Sequence, residues 1–152
     1  MKWIMFFIIF TTTFSEEVLV RVTAKVLTPL KVEIVQNVNF GDIFKGGKNY
    51  NAKERGELKV TGNGRVKLLW KDISNSEFQS MNKNLPITMS NGSYNFKALV
   101  FPNSIGNLDD FQVNENVDKA VKINGKIESL DKSVPCGDYS GVIVIRAEYL
   151  SD

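Results

Sequence analysis

The residues that most often do chemistry are few in this chain, and their spacing argues against catalysis. It contains no histidine. That removes Ser-His and Cys-His nucleophilic systems and the commonest zinc ligand. Asp109 and Asp110 are adjacent, so in an extended chain they point to opposite sides and do not form a working carboxylate pair. Cys136 is the sole cysteine, so no internal disulfide forms. No histidine is available to activate it, and it reads as a half-buried, inert thiol. Gly62-Asn63-Gly64 lacks the spacing of a phosphate-binding loop and reads as a hairpin turn. Asn91-Gly92-Ser93 matches a glycosylation acceptor, but a tight turn accounts for it better. The expectation is a protein that is not an enzyme and needs no metal or cofactor.

Composition narrows the class. The chain has 152 residues, a hydrophobic content of 43% and a formal net charge of +2. That suits one domain with a packed core. Its charges are scattered, with no basic stripe of the kind nucleic acids require. Residues 1–15 stand apart. Lys2 gives a positive start, Trp3 to Phe10 is unbroken apolar sequence, and Thr13 and Ser15 are small residues suited to a cleavage site. This predicts a secretory signal peptide over 1–15 and a single β-sandwich domain over 16–152. The apolar run is too short to span a bilayer comfortably.

The elements that would carry any site are strands. Glu17 to Leu27 (EVLVRVTAKVL) alternates with period 2, with Val18, Val20, Val22, Ala24 and Val26 on one face. It predicts a strand, either the first of the domain or a free arm. Thr28-Pro29 interrupts it, because proline fixes φ and removes a ladder donor. A strand resumes over Leu30 to Val35. Phe40 and Ile43 are candidate core residues, and Gly41 marks a bulge or a close backbone approach. The stretch from Gly46 to Arg55 reads as a polar loop. Strands flank Gly62-Asn63-Gly64, with Trp70 expected in the core. Ser90-Asn91-Gly92-Ser93 and Asn124-Gly125 predict two further hairpins. No stretch has convincing helical period. About nine or ten short strands with turn signals mean a sandwich or barrel.

The last stretch, Gly137 to Leu150, reads GDYSGVIVIRAEYL. Tyr139, Gly141, Ile143, Ile145, Ala147 and Tyr149 share one face. That face is apolar throughout, while the other becomes charged towards the end. The pattern fits a central strand over a core. It also fits a strand beside a groove that receives a strand from another molecule.

Three segments together carry a resemblance. VTAKVLTPLKVEI followed by NFGDI (Val22 to Ile43), GNGRVKLLW (Gly62 to Trp70), and VKINGKIESL followed by PCGDYSGVIVIRAEY (Val121 to Tyr149) resemble a bacterial family of small secreted fimbrial-subunit-like proteins, similar to chaperone–usher pilins. Cys136 departs from the pattern, standing where a small or polar residue is expected. The segment before the Phe-Gly signature is also short. The resemblance implies an all-β, immunoglobulin-like β-sandwich lacking one strand, exported to the periplasm and then to the cell surface. A periplasmic chaperone would first supply the strand, and the arm of another copy or a related fibre subunit would replace it. Residues 16–26 become the candidate donor arm, with Val18, Val20, Val22 and Ala24 as plugs. Gly141, Ile143, Ile145 and Tyr149 become the candidate acceptor strand. The competing expectation is a self-complete secreted sandwich that binds a ligand such as a surface glycan. It would use the loops Asp72 to Asn84 and Pro102 to Asp118, with Phe78 and Phe111 as the aromatic candidates.

Overall fold

The computed structural model describes residues 18–103 and 106–151, and the predicted signal peptide lies outside them. The described chain is all-β. Its ten strands, in order, are β1 (Lys31–Gln36), β2 (Lys48–Asn51), β3 (Gly56–Thr61), β4 (Gly64–Asp72), β5 (Gln79–Ser80), β6 (Leu85–Ser90), β7 (Asn95–Pro102), β8 (Phe111–Val113), β9 (Lys119–Ser129) and β10 (Ile143–Tyr149). They form two antiparallel sheets packed as a sandwich. The larger has the order β1-β3-β9-β7-β6, with β2 also on β9. The smaller has the order β10-β4-β5, with β8 also on β4.

Alternation makes the core. In β3, Gly56, Leu58 and Val60 are buried while their neighbours are half-exposed. In β4 the buried set is Val66, Leu68, Trp70 and Asp72. The buried set of β4 packs in one core with residues of the larger sheet, among them Leu58 and Val60 of β3 and Val100, Val121, Ile123 and Ile127. Trp70 is fully buried, as its position in the alternation predicts. Its indole Nε1 has no hydrogen-bond partner, a cost of about 1–3 kcal/mol set against the large apolar area the ring buries.

Four expectations need correction. Residues 18–30 lie outside every strand, although EVLVRVTAKVL has a clear strand pattern. A period-2 pattern supplies an apolar face but not a neighbouring strand, and here no ladder takes it up. Asn124-Gly125 is not a turn, because β9 runs through it without interruption and Gly125 pairs with Val100. The glycine answers to packing: a Cβ there would lie 2.7 Å from the Phe40 ring. Gly62-Asn63-Gly64 does turn the chain, but β3 and β4 pair in different sheets, so it is a crossing between layers and not a hairpin. The region read as a polar loop from Gly46 contains β2, which pairs with β9. The hairpin at Ser90 to Ser93 forms as expected between β6 and β7, with Asn91 Oδ1 accepting from the Ser93 and Tyr94 N–H groups.

Asp72 is the one charged residue among the buried described positions. Its Oδ2 accepts from the Thr88 N–H (2.7 Å) and its Oδ1 from the Ser74 N–H (3.1 Å), which ties β4 to β6 across the two sheets. Burial pushes its pKa up, but these hydrogen bonds outweigh burial and hold the carboxyl below its ordinary value. The carboxylate therefore contributes stability that is complete above the unfolded carboxylate pKa of about 3.9. That contribution is lost as pH falls through the lower folded value. Asp72→Ala should cost about 3 kcal/mol at neutral pH, from two charge-assisted bonds and the stranded donors. Urea midpoints of both proteins at pH 7 and pH 3 should show the gap narrowing in acid.

Candidate functional site

The site begins with two strand edges. Among the described residues β1 pairs only with β3, and β10 pairs only with β4. Each therefore presents an unpaired row of backbone groups on its other side. The two edges diverge. At one end Tyr149 meets Leu30 beside Gly62. At the other, β1 runs on into Asn37–Ile43, while the chain before β10 swings across to β6. There Ser140 and Ser90 exchange backbone hydrogen bonds of 2.8 and 3.0 Å.

Gly141 makes that crossing feasible, since a Cβ on it would lie 2.8 Å from the Thr88 carbonyl oxygen and 3.0 Å from the Met89 sulfur. Ile73 N–H donates to the Val142 carbonyl (3.0 Å) and fixes the start of β10. The opposite wall is set by Asn39 and Glu54, which exchange backbone hydrogen bonds of 3.0 Å. Gly41 adopts φ +67°, a left-handed conformation suited to glycine.

Between the walls lies a wedge-shaped groove of about 830 Å³. Its floor is the inner face of the larger sheet: Ile87 and Met89 from β6, Phe96 and Val100 from β7, and Ile123 and Ile127 from β9. Ile87, Val100, Ile123 and Ile127 are buried, and Met89 and Phe96 are half-buried. Ile34 projects into it from β1 and is 59% exposed, a high value for an isoleucine at the edge of a core. The floor is apolar and the rim polar, with Asp42, Glu57 and Asp138 on it.

The sequence-derived acceptor residues fall on this groove unequally. Gly141, Ile143 and Ile145 line it. Tyr149 does not, and closes its narrow end instead. The Tyr149 hydroxyl donates to the Thr28 carbonyl (2.7 Å) and accepts from the Asn63 N–H (2.8 Å). The floor residues of β6, β7 and β9, and the wall from Asn37 to Ile43, were missed as site residues. Their apolar alternation looks the same whether or not a groove runs above them.

The arm candidates Val18, Val20, Val22 and Ala24 are all exposed. Val22 is 89% exposed and Val26 93%, with Leu19 at 99%. Fully exposed runs of valine are costly in water and mark contact surfaces.

The ligand-binding candidates read differently. Phe111 lies in β8 and packs against the core. Phe78 sits beneath the Arg146 guanidinium, 3.9 Å from its ring centroid, with Lys71 at 5.1 Å. The two aromatics lie at opposite ends of β4 and form no joint platform. Asp109 and Asp110 serve separate partners, Ser80 and Asn82 for the first and Arg65 for the second. Cys136 is exposed, not half-buried as expected, because the link preceding β10 runs over the surface. Among the described residues no group of three or more Cys, Asp or Glu side chains gathers as a metal site, and no helix is long and apolar enough to cross a membrane.

Comparison with protein-family models found no match to this chain, and neither did a search of the curated proteins.

Proposed function

We propose that this protein is a structural subunit of a bacterial surface fibre, and that it polymerises by adding a strand from one copy into the groove of the next. One observation carries the reading: the same chain presents an apolar groove between two unpaired strand edges and an exposed strand-length apolar arm. The β10 edge lines the groove from Gly141 to Ile145 and continues to Tyr149 at its closed end; eight residue steps separate Gly141 from Tyr149, and eight separate Val18 from Val26. At about 3.3 Å per step both span roughly 26 Å. The groove offers what an added strand needs, namely two unpaired edges for its backbone and an apolar floor for alternate side chains.

The wedge also sets a direction. Tyr149 and Leu30 fill the narrow end, so an arm from a second copy enters at the wide end between Gly137–Val142 and Asn37–Ile43. It then runs antiparallel to β10 and parallel to β1. Val18, Val20, Val22 and Ala24 face the floor. Arg21 and Lys25, on the other face, meet a rim that carries Asp42 and Asp138. The immunoglobulin-like sandwich lacking a strand, the signal peptide over 1–15, export to the periplasm and a chaperone that covers the groove before assembly all belong to this reading.

The test is light scattering with thermal unfolding on residues 16–152 and on residues 27–152. The longer chain is expected to form concentration-dependent oligomers. The shorter one is expected to remain monomeric and melt at a lower temperature. A shorter chain that is as stable as the longer one without any added strand would sink the proposal.

A further inference from the structure

Strand addition leaves a question that the chain must answer: why the arm fills another copy's groove when its own lies beside its root. The root itself carries the observations. Thr28 is held twice, through its carbonyl by the Tyr149 hydroxyl (2.7 Å) and through its Oγ1, which donates to Glu115 (3.3 Å). The same Tyr149 hydroxyl accepts from the Asn63 N–H (2.8 Å), so it is fixed to the crossing between β3 and β4. The tyrosine ring lies against Gly62 and Gly64, where added Cβ atoms would come within 2.5 Å of its hydroxyl and 3.3 Å of its edge. Pro29 follows with its fixed φ and missing N–H. One residue after Leu30, Lys31 opens the β1 ladder opposite Thr61.

An arm folding back into its own groove must reverse direction within Thr28-Pro29-Leu30. It must also pass the narrow end, which Tyr149 occupies. A tight reversal is often closed by a backbone hydrogen bond across the turn, and here the Thr28 carbonyl that would accept it is held in place by Tyr149.

We propose that Tyr149 is a positioning residue that clamps the root of the arm, so that strand addition takes place between copies and not within one. The inference rests on the strand-addition reading above. It goes further in giving Tyr149 a part distinct from lining the groove. The clamp keeps the arm aimed away from the closed end of its own wedge, and the open end of a second copy is then the site that remains.

Cys136, as the sole cysteine and an exposed one beside the wide end, gives a selective reporter. An arm arriving from another copy is rooted at the wide end, which brings its residue 26 towards Cys136. An arm folded back within one copy is rooted at the narrow end, which brings its residue 18 there instead. Val26→Cys is therefore expected to give bridges between chains under mild oxidation, seen as a ladder on non-reducing gels. Val18→Cys is expected to give little bridging within a chain.

Adding Tyr149→Phe keeps the ring and removes both hydrogen bonds. It should raise the within-chain bridge of Val18→Cys roughly fivefold or more, the change expected from losing an ordinary hydrogen bond, and shorten the Val26→Cys ladder. Pro29→Gly loosens the same root without touching the tyrosine and should shift the products in the same direction, which covers the case of a phenylalanine variant that folds poorly. If both variants melt normally and leave the ratio of within-chain to between-chain bridges unchanged, the clamp is overturned while strand addition stands. If no bridge of either kind forms with Tyr149 intact, strand addition itself falls and the clamp with it.

Discussion

Val22→Asp is expected to abolish the oligomers of the proposed strand addition while the melting temperature of the monomer stays unchanged. The two halves of this expectation have different causes. Val22 is 89% exposed and belongs to no strand, so the fold does not depend on it. In the groove it would be one of the inward plugs, where losing the valine forfeits about 1.5–3 kcal/mol and burying a lone carboxylate adds several more. Even the lower part of that range weakens association more than a hundredfold. Val20→Asp should behave in the same way. Thr23→Asp provides the contrast, because residue 23 sits on the outward face of the same arm. Sedimentation or light scattering across a concentration series reads the outcome. Equal losses from Val22→Asp and Thr23→Asp would mean that the arm acts through charge alone and not through alternating plugs.

The second large effect is rescue in trans. A peptide of residues 16–26 added to a chain of residues 27–152 should raise its melting temperature by about 10 °C at a hundredfold excess over the dissociation constant, where binding contributes about 2.7 kcal/mol. Four or five valine-class side chains entering the groove yield roughly 6–12 kcal/mol gross. Ordering the peptide backbone takes back much of this, and pairing with β1 and β10 restores part of it. A peptide of the same composition with the alternation scrambled should give little shift, since it cannot place all its valines on one face. A scrambled peptide that works equally well would reduce the groove to a generic sticky surface.

How much of this was legible beforehand depends on what each residue answers to. Trp70 and the alternation of β3 and β4 were readable because burial on one face of a strand is a local, periodic property. Asn124-Gly125 was misread because a glycine that admits a turn and a glycine that admits a neighbouring ring look identical in sequence. Phe40, whose ring occupies the space above Gly125, lies 85 positions earlier in the chain. The arm was readable as a strand but not as a strand without partners, since its pattern specifies a face and leaves the neighbour open. The groove floor was invisible for a related reason: Ile123 and Ile127 would be the same residues under a complete smaller sheet. Tyr149 was placed on the correct strand, but its hydrogen bonds to Thr28 and Asn63 join segments that are 121 and 86 residues away.

The place of β9 has a consequence for how the molecule comes into being. It lies between β3 and β7 and also carries β2, so Leu58 waits for Val121 and Tyr50 waits for Ile127. Before β9 exists, the larger sheet can close only the β1–β3 pair and the β6–β7 hairpin. A chain emerging from its N-terminus must be extended almost to residue 129 before its central strand exists. Domains built on such distant pairings fold in milliseconds to seconds, not microseconds. During that interval their apolar strands stay open to other chains. Late closure thus lengthens the time in which unpaired apolar strands can capture a neighbouring chain, so the yield of refolded protein should fall as its concentration rises.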